Sequence, residues 1–257
     1  MSVLSYLERS ASDALLDSSE KESIRKSIVT LKARLNAYFA DMLKEHFQFG
    51  SSTRGTILPR SMDEHSDIDY MIVFNDDDSV PQTYLDRLKR FAETYYGKSE
   101  IYQSSPTIVL ELNHIKFDLV PAKLGWLGGY KIPNGAGGWI DTDPNDFNSK
   151  LEDENKGNSN LIKPTIRLAK FWNANNDYLY ISFSFEKWIV DQWFWNCTNQ
   201  KDYLFTIIDK LPIEYDAAQW RKDKIARAKT IVAQVKEYER QELGAKAEQE
   251  VKKLIPE

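Results

Sequence analysis

Two aspartates separated by one residue stand at the start of an apolar run. Asp67 and Asp69 flank Ile68, and the run continues to Phe74 before a polar turn at residues 75–78. This pattern predicts a strand, on which residues two apart point to the same face. Two adjacent carboxylates repel each other, and Mg²⁺ prefers carboxylate oxygens together with substrate phosphates. The pair therefore predicts a magnesium site for a phosphate-bearing ligand.

A third carboxylate lies on a second predicted strand, Ile115–Val120. Apolar residues alternate there with Lys116, Asp118 and Val120. If the two strands are neighbours, Asp118 reaches the same site. Three carboxylates can hold two metal ions, one activating an attacking hydroxyl and one stabilising a leaving pyrophosphate. Asp118 is then the candidate for assisting deprotonation of the acceptor hydroxyl. Taken singly, each aspartate also fits an ordinary solvated charge at a strand edge.

A Gly-Ser pair, Gly50-Ser51, precedes the aspartates. Glycine lets the backbone approach a phosphate, and serine supplies a hydroxyl and an amide donor. A Gly-Ser pair, a spacer and an Asp-x-Asp strand together resemble the signature of DNA polymerase β-like nucleotidyltransferases. The resemblance implies that Gly50 and Ser51 hold a donor triphosphate. It also implies two Mg²⁺ ions, for which Mn²⁺ can substitute, on Asp67, Asp69 and Asp118.

Three further segments, 54–56, 133–144 and 161–173, resemble the CD-NTases. These are bacterial relatives of cyclic GMP-AMP synthase and oligoadenylate synthetase. The resemblance covers about residues 48 to 190. It implies an enzyme that converts nucleoside triphosphates, ATP among them, into a cyclic di- or trinucleotide second messenger. It further implies CBASS-type antiphage signalling and a downstream effector that the cyclic nucleotide activates.

Within residues 161–173, Lys163, Arg167 and Lys170 recur three or four residues apart, on one helix face. Such a stripe fits either a solvated surface or contacts with triphosphate oxygens. The resemblance implies that Lys170 and Ser182 contact donor phosphates. It also implies that Phe183 stacks on a base, with a buried core position as the alternative for this phenylalanine.

The surrounding pattern predicts an α/β (α+β) fold. A long N-terminal helix reaches to about His46, mixed strands follow, and residues beyond Asp146 are helical. The Gly- and Pro-rich stretch from Pro121 to about Pro144 is predicted as a flexible connector. We therefore expect a nucleotidyltransferase core over 1–145 and a helical, oligoadenylate synthetase-like lobe over 146–257, with the active site in the cleft between the lobes.

Composition narrows the functional classes. The 257-residue chain has a formal net charge of -5, one cysteine and no long uninterrupted apolar stretch. We expect a cytoplasmic protein without a membrane span, disulfide or zinc cluster, and no activation by nucleic acid. Two alternatives stay open from the residues alone. One is a linear nucleotidyltransferase acting on RNA, a protein or a small molecule, and the other is a degenerate fold that serves as a scaffold.

Overall fold

A computed structural model describes residues 1–75, 78–126 and 128–257. Part of the predicted turn at 75–78, namely 76 and 77, lies outside these residues. The chain forms two compact units. The sheet unit comprises Leu16–Arg60 and Glu64–Asn148, and the helical unit comprises Met1–Leu15, Ser61–Asp63 and Ser149–Glu257. The predicted domain boundary near residue 145 stays a prediction.

The sheet unit is a mixed sheet covered on one face by helices. Its strands are β1 (Leu43–Phe49), β2 (Asp67–Phe74), β3 (Glu100–Ser104), β4 (Thr107–Glu111), β5 (Lys116–Leu124), β6 (Tyr130–Pro133) and β7 (Trp139–Thr142). Its helices are α2 (Ser18–Phe39), α3 (Ser51–Arg54) and α4 (Pro81–Tyr96), numbered after α1 of the other unit. The main strand order is β1-β2-β5-β4-β3, with β2 and β5 parallel.

The N-terminal region contains two helices and a strand, where one long helix reaching His46 was predicted. Asp17 caps α2: its carboxylate accepts from the backbone N–H of Glu20 at 2.7 Å, and the Glu20 carboxylate accepts from the N–H of Asp17. One face of α2 lines the core, where Leu31 and Leu35 are buried with α4 and the sheet. His46 lies in β1.

The prediction of a flexible connector is wrong for half of the stretch from Pro121 to Pro144, which is strand. β5 continues to Leu124, and β6 and β7 form an antiparallel hairpin. The side-chain oxygen of Asn134 accepts from the backbone N–H groups of Ala136 and Gly138, both at 2.9 Å, and so closes the hairpin turn. Strand pairing satisfies the backbone here despite a composition typical of loops.

The helical unit holds α1 (Val3–Asp13), most of α5 (Asp146–Gly157), α6 (Ile162–Ala174), α7 (Ser182–Val190), α8 (Gln200–Lys210), α9 (Gln219–Arg240) and α10 (Gly244–Val251). The prediction of helices beyond Asp146 is confirmed. α1 joins this unit because it packs on α6, α8 and α10, and the Tyr6 hydroxyl donates to the Ile255 carbonyl at 2.6 Å. Within the described residues, every helix is too short or too polar to span a bilayer.

Candidate active site

The three predicted aspartates lie on two neighbouring strands. β2 carries Asp67 and Asp69, and β5 carries Asp118 directly opposite Asp69 in the parallel ladder. The alternate residues, such as Ile68 and Phe117, are buried in the core. The three carboxylates therefore share the other face of the sheet. The predicted adjacency of the two strands is confirmed.

Gly50 lies against the carboxylate of Asp69. β1 ends at Phe49, which pairs with Asp69, and Gly50 turns the chain with a φ of 76° and a ψ of −156°. A Cβ at Gly50 would stand 1.9 Å from Oδ2 of Asp69. This backbone conformation and this lack of space both require glycine. The half-buried Ser51 follows as the first residue of α3.

Lys116 is a site residue that the sequence analysis missed. It pairs with Asp67 in the β2–β5 ladder. Its ammonium nitrogen is 3.3 Å from Oδ2 of Asp67 and 3.9 Å from Oδ1 of Asp118. The alternation along β5 already placed Lys116 on the face of Asp118, but its position beside Asp67 follows only from the strand register.

Burial dominates the electrostatics of Asp118. It raises the pKa of this carboxyl from 3.8 to about 6; the negative charges of Asp67 and Glu111 add to the rise, and Lys116 opposes it. Oδ1 of Asp118 is buried and has no hydrogen-bond partner in the described part of the chain. Burial lowers the pKa of Lys116, but the charges of Asp67 and Asp118 outweigh burial, so that this pKa is raised.

The oxygen donors of Asp67, Asp69 and Asp118 suit a divalent cation by their chemistry. The donor set is all carboxylate oxygen, which suits Mg²⁺, and one of these oxygens is buried without a hydrogen bond. In the side-chain conformations of the described ranges 1–75, 78–126 and 128–257, no group of three His, Cys, Asp or Glu residues is arranged to hold a metal ion. Two of the three carboxylates are instead grouped around the ammonium of Lys116.

In the helical unit, two of the three residues of the predicted cationic stripe on α6 are buried. Arg167 and Lys170 are only 6% and 7% exposed, so the interpretation as a solvated surface is wrong for them. The Lys170 ammonium lies 3.2 Å from a carboxylate oxygen of Glu186 on α7, which is 1% exposed. Lys163 lies nearer the helix start and donates to Glu152 at 2.6 Å. The sequence analysis did not identify Glu186.

Ser182 and Phe183 form the first turn of α7. Ser182 is exposed, and Phe183 is 42% exposed, so the alternative of a buried core phenylalanine is wrong. Glu186 follows Ser182 by four residues and therefore lies on the same side of the helix. The Glu186–Lys170 pair thus holds the Lys170 ammonium against α7.

The chain matches the family model "SMODS: Second Messenger Oligonucleotide or Dinucleotide Synthetase domain" over residues 1–155. A curated relative from Bacillus cereus (strain VD146), a probable cyclic nucleotide synthase, is 30% identical over 129 residues. That alignment covers 44% of this chain and 39% of the relative, so it spans less than half of either protein.

Solved structures of similar fold include those of CdnC and CdnG. CdnC of E. coli MS115-1, solved with ATP, has a TM-score of 0.74 and 15% identity, with 99% of this chain and 98% of that chain covered. CdnG of Bradyrhizobium diazoefficiens, a CD-NTase solved with GTP, has a TM-score of 0.68 and 12% identity, with 97% and 96% covered. At these identities the similarity establishes the fold alone.

Proposed function

Because the chain belongs to the family of Second Messenger Oligonucleotide or Dinucleotide Synthetase domains, the CD-NTases, we propose that it is a metal-dependent nucleotidyltransferase. Its product would be a cyclic di- or trinucleotide made from nucleoside triphosphates. The observation that carries the proposal is the grouping of Asp67, Asp69 and Asp118 on one face of adjacent parallel strands, with Gly50 against Asp69.

In the sheet unit, Asp67, Asp69 and Asp118 are the residues that would hold Mg²⁺, with Mn²⁺ as a substitute. When bound, the ions supply charge neutralisation at the triphosphate and activation of the acceptor hydroxyl. Gly50 leaves room for a phosphate to approach the backbone, and Ser51 offers its hydroxyl and amide as donors. Asp118 accepts the proton of the attacking ribose hydroxyl, which frees that oxygen to bond to the α-phosphorus as pyrophosphate leaves.

In the helical unit, Lys170 and Ser182 would contact the donor phosphates. The buried pair with Glu186, in the middle of α7, fixes the Lys170 ammonium, and Ser182 at the start of the same helix is exposed. Phe183 offers an accessible ring, which suits stacking on a base. These three roles come from the resemblance, and the burial and exposure of the side chains support them.

The substrates and biological setting belong to the same proposal. ATP is the first substrate to test, because the similar CdnC structure was solved with ATP and the CdnG structure with GTP. A cyclic product is favoured by the curated relative, a probable cyclic nucleotide synthase. We further propose that the product activates a downstream effector in the cytoplasm, as part of CBASS-type antiphage defence. A similar structure holds CdnC in complex with a HORMA protein, so a protein regulator of this chain is also worth testing.

The experiment incubates the purified protein with four labelled nucleoside triphosphates and Mg²⁺ or Mn²⁺, followed by phosphatase. A phosphatase-resistant product is expected from the wild type and not from Asp69→Asn. Asp141→Asn is the matched control, since Asp141 is an aspartate of the same unit whose carboxylate is 78% exposed and paired with Lys131. Label transferred to added RNA or protein, without a resistant product, would favour the linear nucleotidyltransferase instead.

A further inference from the structure

The ammonium of Lys116 stands where a cation would be expected between Asp67 and Asp118. The strand register fixes this arrangement, because Lys116 is the direct neighbour of Asp67 in the ladder and precedes Asp118 by two residues on the same face. The side chain of Lys116 is 17% exposed, that of Asp67 is 28% exposed and that of Asp118 is 21% exposed. Two partly buried carboxylates on one face repel each other, and a positive charge between them reduces that repulsion.

The contacts of Lys116 are nevertheless weak for a charged pair. Charge-assisted hydrogen bonds from nitrogen to carboxylate are typically about 2.7–2.9 Å long. Lys116 lies 3.3 Å from Asp67 and 3.9 Å from Asp118, so Oδ1 of Asp118 gains a nearby charge but no hydrogen bond within the described residues. The ammonium therefore compensates the site only in part.

A divalent cation would neutralise the carboxylates better than the ammonium does and would also displace the Lys116 side chain. Mg²⁺ binds carboxylate oxygens at about 2.0–2.1 Å. An ammonium still 3.3 Å from a coordinating oxygen would then lie close to a second positive charge. Because lysine has a flexible four-carbon stem, its head group can move away while the backbone pairing of β2 and β5 stays intact.

We propose that Lys116 is a built-in counter-ion of the carboxylate site, which neutralises Asp67 and Asp118 in the metal-free protein and is displaced when a divalent cation binds. Lys116 thereby competes with the metal and sets the affinity of the site for it. This inference rests on the proposed metal site, and the test below separates the two.

The test measures Mn²⁺ binding to chelator-treated, nucleotide-free protein by calorimetry and electron paramagnetic resonance. Lys116→Met should bind Mn²⁺ about tenfold more tightly than the wild type, because a nearby unit charge commonly changes a site by about one logarithmic unit. Its metal-free melting temperature should fall below that of the wild type, and Mn²⁺ should close the gap. Lys131→Met, which removes a lysine paired at 2.7 Å with the exposed Asp141, is the matched control and should bind Mn²⁺ as the wild type does.

A second measurement uses the wild type alone. The rate at which Lys116 is acetylated by a lysine-directed reagent is followed by mass spectrometry, with and without Mn²⁺. Displacement predicts a several-fold faster reaction in the presence of metal. This readout stands even if the methionine variant does not fold.

The outcomes separate the inference from the metal site itself. The metal site stands if Mn²⁺ binds the wild type and Asp69→Asn abolishes that binding. In that case, the counter-ion role is wrong if Lys116→Met binds Mn²⁺ no more tightly than the wild type, or if metal leaves the acetylation rate of Lys116 unchanged. If Mn²⁺ binding is absent, or is insensitive to Asp69→Asn, the proposed metal site itself is wrong.

Discussion

Replacing Gly50 with alanine would place a methyl group in the space that the Asp69 carboxylate occupies. The added Cβ would stand 1.9 Å from Oδ2 of Asp69, whereas real Cβ contacts are essentially never shorter than 3.0 Å. Either Asp69 or the turn at Gly50 must therefore shift by about 1 Å. Because a misplacement of about 1 Å can cost about 100-fold in rate, Gly50→Ala should lower turnover by about that factor.

Gly55→Ala is the matched control for backbone strain. Gly55 ends α3 with a φ of 74°, and a Cβ there would meet nothing within 4 Å. Its cost is the left-handed conformation of an alanine, about 1–2 kcal/mol. Gly50 adopts a backbone region that is essentially restricted to glycine, which costs about 1–3 kcal/mol before any clash. Gly50→Ala should therefore also be the less stable variant.

The assay combines urea unfolding with formation of the phosphatase-resistant product, at a temperature at which both variants are fully folded. We expect Gly55→Ala to lose stability and keep wild-type turnover, and Gly50→Ala to lose both. Wild-type turnover in both folded variants would refute the argument that contact with Asp69 makes glycine necessary at position 50. Equal loss of turnover in both would assign the effect to the conformation of the turn instead.

Three further perturbations test other contacts. Because burial raises the pKa of Asp118 from 3.8 to about 6, the contribution of its protonated carboxyl to the free energy of unfolding is fully present below about pH 4 and is lost as pH rises through 6. Metal-free Asp118→Asn should therefore gain stability relative to the wild type over that range, by up to about 3 kcal/mol. A pH-independent difference in urea unfolding would contradict this. Glu186→Gln leaves the buried Lys170 ammonium without the Glu186 counter-charge and should lower the free energy of unfolding by about 3–5 kcal/mol in urea. Glu186→Asp should lose less, because it keeps the charge. A loss below about 1 kcal/mol for Glu186→Gln would show that the pair does not hold Lys170. Asp17→Ala removes the cap of α2 and should cost about 1 kcal/mol, whereas Asp17→Asn should be nearly neutral; equal losses would exclude capping as the cause.

Local pattern predicted the two strands that carry the three aspartates. The Asp-x-Asp spacing before an apolar run and the alternation around Asp118 identified β2 and β5 and put the aspartates on one face of each strand, because the alternation of a strand is set by its own backbone. The same reasoning missed β3 (Glu100–Ser104) and the β6–β7 hairpin. β3 is an edge strand with mostly exposed residues, and glycines lie beside the hairpin strands, so pairing with neighbours decided both.

The sequence by itself determined that Asp67 and Asp69 share a face and that residues 48–190 resemble the CD-NTases, because side-chain alternation and short motifs are local properties. Only the tertiary structure decided that Asp118 stands opposite Asp69, that Lys116 lies beside Asp67 and that Gly50 touches a carboxylate. It also decided that Lys170 is buried against Glu186. The physical reason is that strand register and helix packing join residues far apart in the chain, through backbone hydrogen bonds and burial that no local pattern specifies.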